Sequence, residues 1–123
     1  MKHILLVFLG GGLGSALRFV ISKYVNISYL QYPIGTFSVN VIGSLLIGVI
    51  LGIAMKNSAV SQNTVLFLAT GFCGGFTTFS AFAYENYALL KNGDLITFSL
   101  YTLGSLILGL GAVVVGIWFA RLF

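Results

Sequence analysis

The sequence predicts an all-α integral membrane protein with four transmembrane helices in a single domain, residues 1–123, the third helix broken near Gly74 to Thr77. Three observations predict it. Hydrophobic residues make up 59% of the chain and charged residues 7%, against about 25% charged in a soluble domain, so lipid must be the solvent for most side chains. The charges, Lys2, Arg18, Lys23, Lys56, Glu85, Lys91, Asp94 and Arg121, leave residues 24–55, 57–84 and 95–120 uninterrupted. Each stretch holds the roughly 20 apolar residues that cross a hydrocarbon core. Finally, Gly71, Gly74 and Gly75 crowd the middle of the third stretch, where each glycine weakens a helix interior by about 1 kcal/mol.

The first helix is expected over about residues 4–24, and Arg18 alone interrupts its apolar span at 4–22. It reads as a retained helix and not as a cleaved leader, because no A-x-A-like site follows the apolar run. Residues 26–33 connect it to a second helix over about 34–55, and 56–62 connect that to a third over about 63–90. Residues 91–94, Lys-Asn-Gly-Asp, make a tight polar turn into a fourth helix over about 95–122. Small residues spaced four apart, Gly10/Gly14, Ser44/Gly48/Gly52, Gly71/Gly75 and Ser105/Gly109, suit close helix packing in lipid. Cys73 has no second cysteine to pair with and reads as a packing residue.

Loop charges bear on topology. With four spans, Lys2, Lys56 and Arg121 fall on one side, and Lys23 and Lys91, with Arg18 nearer that end, on the other. Orientation follows an excess of basic residues, and here the two sides nearly balance. The expectation is insertion in both orientations and assembly as an antiparallel homodimer, since C2 pairs are the commonest oligomers and four short helices alone enclose little.

Polar residues at membrane depth are costly and point to function. Thr36, Asn40 and Ser44 fall at i, i+4, i+8 on one stripe of the second helix. Their hydroxyl and amide donors suit an anion that must shed water. In the third helix a break would expose carbonyls from Gly74 through Thr77, which are ligands for hard cations such as Na+. Phe79 and Phe82 lie at i, i+3, and an aromatic edge, being partly positive, can meet an anion. Tyr101, Ser105 and Gly109 repeat the i, i+4, i+8 pattern on the fourth helix. Arg18 and Glu85 are candidates for a vestibule or for interfacial anchoring. His3 and Trp118 read as interface residues. The chain contains no P-loop, zinc spacing or nucleotide fingerprint, so an enzyme is not expected, and the net charge of +4 reads as headgroup anchoring.

The segments GGGLGSALRF at 10–19, GTFSVNVIGSLLIG at 35–48 and GFCGGFTTFSAF at 71–82 resemble the signature regions of the CrcB/Fluc fluoride ion channel family. The resemblance spans nearly the whole chain. It implies a dual-topology homodimer in the cell (inner or plasma) membrane, with two fluoride pores and a central sodium ion. Phe79 and Phe82 would be the pore-lining aromatic pair and Asn40 the donor on the second helix, with Thr36 on the same helix near the centre. Tyr101 and Ser105 would match a hydroxyl track on the fourth helix, and Arg18 the arginine near the end of the first. Main-chain carbonyls of Gly74 and Thr77 from both subunits would hold the sodium. Ser15, Phe19, Ala81 and Gly109 depart from the commoner residues at their positions, so the far end of the hydroxyl track is open. The function implied is passive fluoride efflux that lowers cytoplasmic fluoride. A rival reading is a proton-coupled antiporter of the small multidrug-resistance type, which resembles this chain in length and helix count. It relies on a glutamate in the first helix, where this chain has Arg18 and no acid. A non-transporting membrane subunit would need neither the break nor the polar stripes.

Overall fold

A computed structural model describes residues 1–26, 32–58 and 60–122. Its elements are α1 (Lys2–Val25), α2 (Ile34–Lys56), α3 (residues 62–76), α4 (Phe79–Lys91) and α5 (Leu95–Leu122). The four spans are α1, α2, Gln62–Lys91 and Leu95–Leu122, each long and apolar enough to cross a membrane. The expected helices are all present, their ends within two residues of expectation. Most of the expected 26–33 connection lies outside the described residues.

Local chemistry sets the ends. α1 stops at Val25, where the Asn26 N–H still reaches the Ser22 carbonyl. Asn26 Oδ1 then accepts from the Gly35 N–H at 2.7 Å, capturing one of the donors that the start of a helix leaves unpaired. Pro33 precedes α2, where its fixed φ and missing N–H cost nothing. Ser61 caps α3 by accepting from the Thr64 N–H at 3.2 Å. In the turn after α4, Gly93 takes φ +73°, the left-handed region that glycine enters without penalty. Asp94 Oδ1 accepts from the Thr97 N–H at 3.0 Å and caps α5.

The bundle is built from two close pairs, α1 with α3 and α2 with α5, joined through contacts of α2 with α1 and α3. α4 is attached more thinly, along a short seam on α5. Small residues set the pairs. A Cβ on Gly14 would collide with the backbone of Phe72 and Phe76, and one on Gly75 with the backbone of Gly11. Gly48 and Gly116 play the same part between α2 and α5.

The break corrects one detail of the sequence expectation. The chain runs as α turn Gln62–Val65, a wider π-type stretch Leu66–Cys73, and α turn Gly74–Phe76 before it opens. Gly74 has φ −63° and ψ −38° and is helical. The break comes at Thr77 (φ −82°, ψ 159°) and Thr78 (φ −150°, ψ 117°). The glycines therefore do not break the helix by flexibility. Gly71 and Gly75 let α3 press against α1, and the threonines carry the extended step.

Candidate functional site

The step between α3 and α4 organises the site. In a continuous helix the Thr78 N–H would bond the Gly74 carbonyl and the Ala81 N–H the Thr77 carbonyl. Here Thr78 N–H donates to Asn40 Oδ1 at 2.7 Å and Ala81 N–H donates to Thr78 Oγ1 at 3.2 Å. Asn40 Nδ2 donates back to the Thr78 carbonyl at 3.1 Å. The Gly75 carbonyl accepts from Ser15 Oγ at 3.2 Å and Arg18 Nε at 3.0 Å. Side chains of α1 and α2 thus satisfy backbone groups that could not be left bare at membrane depth. The Thr78 and Ala81 N–H groups are thus diverted from the Gly74 and Thr77 carbonyls that a continuous helix would give them.

A cavity of about 300 Å³ lies beside the step, open on one side. α2 lines it with Asn40, Gly43, Ser44 and Ile47. The step and its flanks add Cys73, Gly74, Thr77, Thr78, Phe79 and Phe82, and α5 adds Ser105, Leu106 and Gly109. None of these side chains is charged. Ser105 Oγ is buried and has no hydrogen-bond partner among the described residues. The rings of Phe79 and Phe82 are 5.8 Å apart, tilted by 43°. Phe82 is only 8% exposed, whereas Phe79 is 79% exposed in the single chain, so Phe79 stands at the open side of the cavity.

One turn away along α2 and α5, Glu85 takes two hydroxyl donors. Thr36 Oγ1 donates to its Oε1 at 2.6 Å and Tyr101 OH to its Oε2 at 2.7 Å. Thr36 is 3% and Tyr101 0% exposed. The Tyr101 ring packs on Phe82 at 5.1 Å and on Tyr32 at 5.5 Å, extending the aromatic wall from the cavity toward the start of α2. Burial there pushes the Tyr32 hydroxyl above its ordinary pKa.

The structure therefore brings Asn40, Phe79, Phe82 and Ser105 to one cavity wall and sets Thr36 and Tyr101 beside it, on Glu85. The expected row of free donors needs correction. The Thr36 and Tyr101 hydroxyls and both ends of the Asn40 amide already have partners within the chain, which leaves the Ser44 and Ser105 hydroxyls and the second N–H of Asn40. Arg18 and Glu85, grouped as vestibule candidates, take separate partners: Arg18 the Gly75 carbonyl, Glu85 the two hydroxyls. Cys73 is buried at 1% exposure, as a packing residue should be. Sequence reasoning missed Thr78 as the cap of α4, although a threonine just ahead of an apolar run is a recognisable start signal. It also missed Asn86, 7% exposed, whose neighbours on the far helix leave no trace in spacing.

The comparisons with known proteins place the chain in a family. Residues 5–117 match the family model described as CrcB-like protein, Camphor Resistance (CrcB). Several relatives carry the name fluoride-specific ion channel FluC. The one from Gloeothece citriformis (strain PCC 7424) is 48% identical over 122 residues, 98% of each chain. That from Azobacteroides pseudotrichonymphae genomovar. CFP2 is 45% identical over 117 residues, 94% of each. That from Phocaeicola vulgatus is 42% identical over 125 residues, 98% of this chain and 100% of its own. With a family model matching nearly all of this chain and relatives this similar from end to end, the chain belongs to the CrcB family.

Proposed function

We propose that this chain is a fluoride-specific ion channel for passive efflux, lowering cytoplasmic fluoride across the inner membrane, and that it works as an antiparallel homodimer. The observation that carries the reading is the buried, unpartnered Ser105 hydroxyl facing an uncharged cavity beside two phenyl rings. The names of the relatives supply the ion.

Fluoride is small, strongly hydrated and a strong hydrogen-bond acceptor, so a path for it must replace water's donors. The Ser105 O–H, the second Asn40 N–H and the positive ring edges of Phe79 and Phe82 are donors of that kind. None carries a full charge, so binding stays weak enough for release. Next to them, the Thr36 and Tyr101 hydroxyls donate to Glu85. A fluoride at that level competes with the carboxylate for the same two O–H groups, which passes the ion from one set of donors to the next. The process is transport, with no covalent step.

The dimer and its metal are part of the proposal. The cavity is open on the side where Phe79 is exposed, and a Cβ on Gly74 would meet nothing within 4 Å among the described residues. A second, inverted copy would close that side, and the near-balance of loop charges favours both orientations. The donor set suits a sodium ion: hard carbonyl oxygens of Gly74 and Thr77, freed from the helical ladder, from each copy. Bound there, sodium would supply a fixed positive charge at the centre of the dimer.

The antiporter reading finds little support. α1 has no acid, and the cation well inside it, Arg18, donates to the Gly75 carbonyl. The test is efflux from liposomes holding the purified protein, with a potassium ionophore as shunt. Fluoride should leave and chloride should stay. Proton-coupled uptake of a cationic drug with no fluoride flux would overturn the reading.

A further inference from the structure

α4 carries a buried polar side chain that does not line the cavity. Asn86 lies one turn beyond Phe82 and is 7% exposed. Its Nδ2 donates to the Phe82 carbonyl at 2.9 Å, and its Oδ1 accepts from Thr102 Oγ1 of α5 at 2.8 Å. Asparagine is a poor helix former because its amide competes for backbone groups, and burying an amide is unfavourable unless it is bonded. Both tendencies are met here by one bridge that runs from Phe82 to α5.

The position of the bridge gives it a purpose. α4 follows an interrupted backbone and rests on α5 along a short seam. In lipid, apolar helix faces have no hydrophobic drive to choose one register over another, whereas a single paired polar residue can fix register. Two polar contacts cross this seam: Glu85 with Tyr101, and Asn86 with Thr102. Consecutive residues on a helix project about 100° apart. The two contacts therefore hold α4 from two directions at nearly one height and resist both sliding and rotation. The Phe82 ring, 5.1 Å from that of Tyr101, sits one turn from this brace.

We propose that Asn86, through Thr102, is a positioning residue for the ion path: it fixes the α4–α5 register that keeps the Phe82 ring at the cavity wall, without touching the ion itself. The inference rests on the reading of Phe82 as part of a fluoride path.

The test compares wild type, Asn86→Leu, Thr102→Val, Thr102→Ser and the double variant Asn86→Leu/Thr102→Val in liposomes, recording fluoride efflux and chloride leak. Each of the two apolar single variants should slow fluoride efflux by about three- to twentyfold, the span of one interhelical hydrogen bond in lipid. The fluoride-to-chloride ratio should fall with it. The double variant should be no slower than the worse single, because one bridge is lost in all three. Thr102→Ser, which keeps the hydroxyl, should conduct like wild type. Wild-type flux from Thr102→Val, multiplicative losses in the double variant, slow efflux from Thr102→Ser, or a loss with an unchanged ratio would each overturn the proposal. If Asn86→Leu does not fold, Thr102→Val, nearly the same shape, decides alone. A wild-type protein that passes no fluoride would instead remove the channel reading.

Discussion

Asn40 and Thr78 exchange two hydrogen bonds across the break: the Thr78 N–H donates to Asn40 Oδ1 at 2.7 Å, and Asn40 Nδ2 donates to the Thr78 carbonyl at 3.1 Å. The amide of one side chain thereby replaces a missing turn of helix. It holds the step open in the one conformation that turns Phe79 and Phe82 toward the cavity. The polar residue on α2 and the break on the third span are a single device.

Asn40→Ala should damage both fold and transport. It strands the N–H and carbonyl of Thr78, and an unmet buried polar group costs about 1–3 kcal/mol. The thermal midpoint in detergent should fall, and fluoride efflux should drop by at least about tenfold, the rate equivalent of 1.4 kcal/mol. Asn40→Asp keeps the acceptor for Thr78 N–H but loses the donor, so its stability should lie between wild type and alanine. A stability for Asn40→Ala equal to wild type would mean that the step does not depend on this amide.

Two glycines of α1 should respond oppositely to the same substitution. A methyl on Gly14 runs into the backbone of Phe72 and Phe76, whereas one on Gly12 meets nothing within 4 Å. Overpacking costs about 1–3 kcal/mol, so Gly14→Ala should lower the yield of monodisperse protein and its thermal midpoint. Gly12→Ala should match wild type or exceed it slightly, since alanine favours helix. Size-exclusion profiles and thermal melts of the two variants side by side measure the difference.

Much of this architecture is legible in the sequence for a physical reason. Hydrocarbon demands long uncharged runs, so the four spans and the turn at Gly93 stand out in the pattern of charges and glycines. The break is legible only in its neighbourhood. Clustered glycines weaken a helix wherever they occur, but here α1 holds them in helical form, and which residue yields depends on Asn40 reaching across from another helix. Likewise, spacing puts Thr36, Asn40, Tyr101 and Ser105 on two stripes, yet it cannot tell a free donor from one already bonded. Glu85 accepts two of the four donors and Thr78 engages a third, while Ser105, like Ser44 on the first stripe, has no partner among the described residues. Those choices depend on contacts between residues 16 to 49 positions apart, which local pattern does not encode.

Acid should act on the turn ahead of α5. Hydrogen bonds from the Thr97 side chain and backbone hold the Asp94 carboxyl below the usual carboxylate range. A carboxyl that is more acidic folded than unfolded binds fewer protons when folded. Its contribution is therefore complete above its unfolded value, about pH 4, and is lost as pH falls through the lower, folded value. Thermal melts taken below about pH 4 should lose more for wild type than for Asp94→Asn, whose amide oxygen can cap Thr97 without titrating. Equal losses would place the acid sensitivity elsewhere.

Glu85 accepts from both Thr36 and Tyr101, and that predicts how the two combine. Thr36 donates to one carboxylate oxygen and Tyr101 to the other. Thr36→Val and Tyr101→Phe each remove one hydroxyl and little else. Each leaves one oxygen of Glu85 without its donor, and each removes an O–H that a passing fluoride could take. Both single variants should slow fluoride efflux by about three- to twentyfold. Their effects should not multiply. Once one hydroxyl is gone, the carboxylate can turn toward the other, so the second loss acts on a site already changed. Contacts within one network show interaction energies of about 0.5–3 kcal/mol, and the cycle of wild type, two singles and the double should reveal one of that size. Adding Glu85→Gln to all four proteins supplies the control. With the shared acceptor altered, the coupling between positions 36 and 101 should shrink. Multiplicative losses in the Glu85 background would mean that Thr36 and Tyr101 act on the ion separately, and undiminished coupling in the Gln background would mean that something other than Glu85 links them.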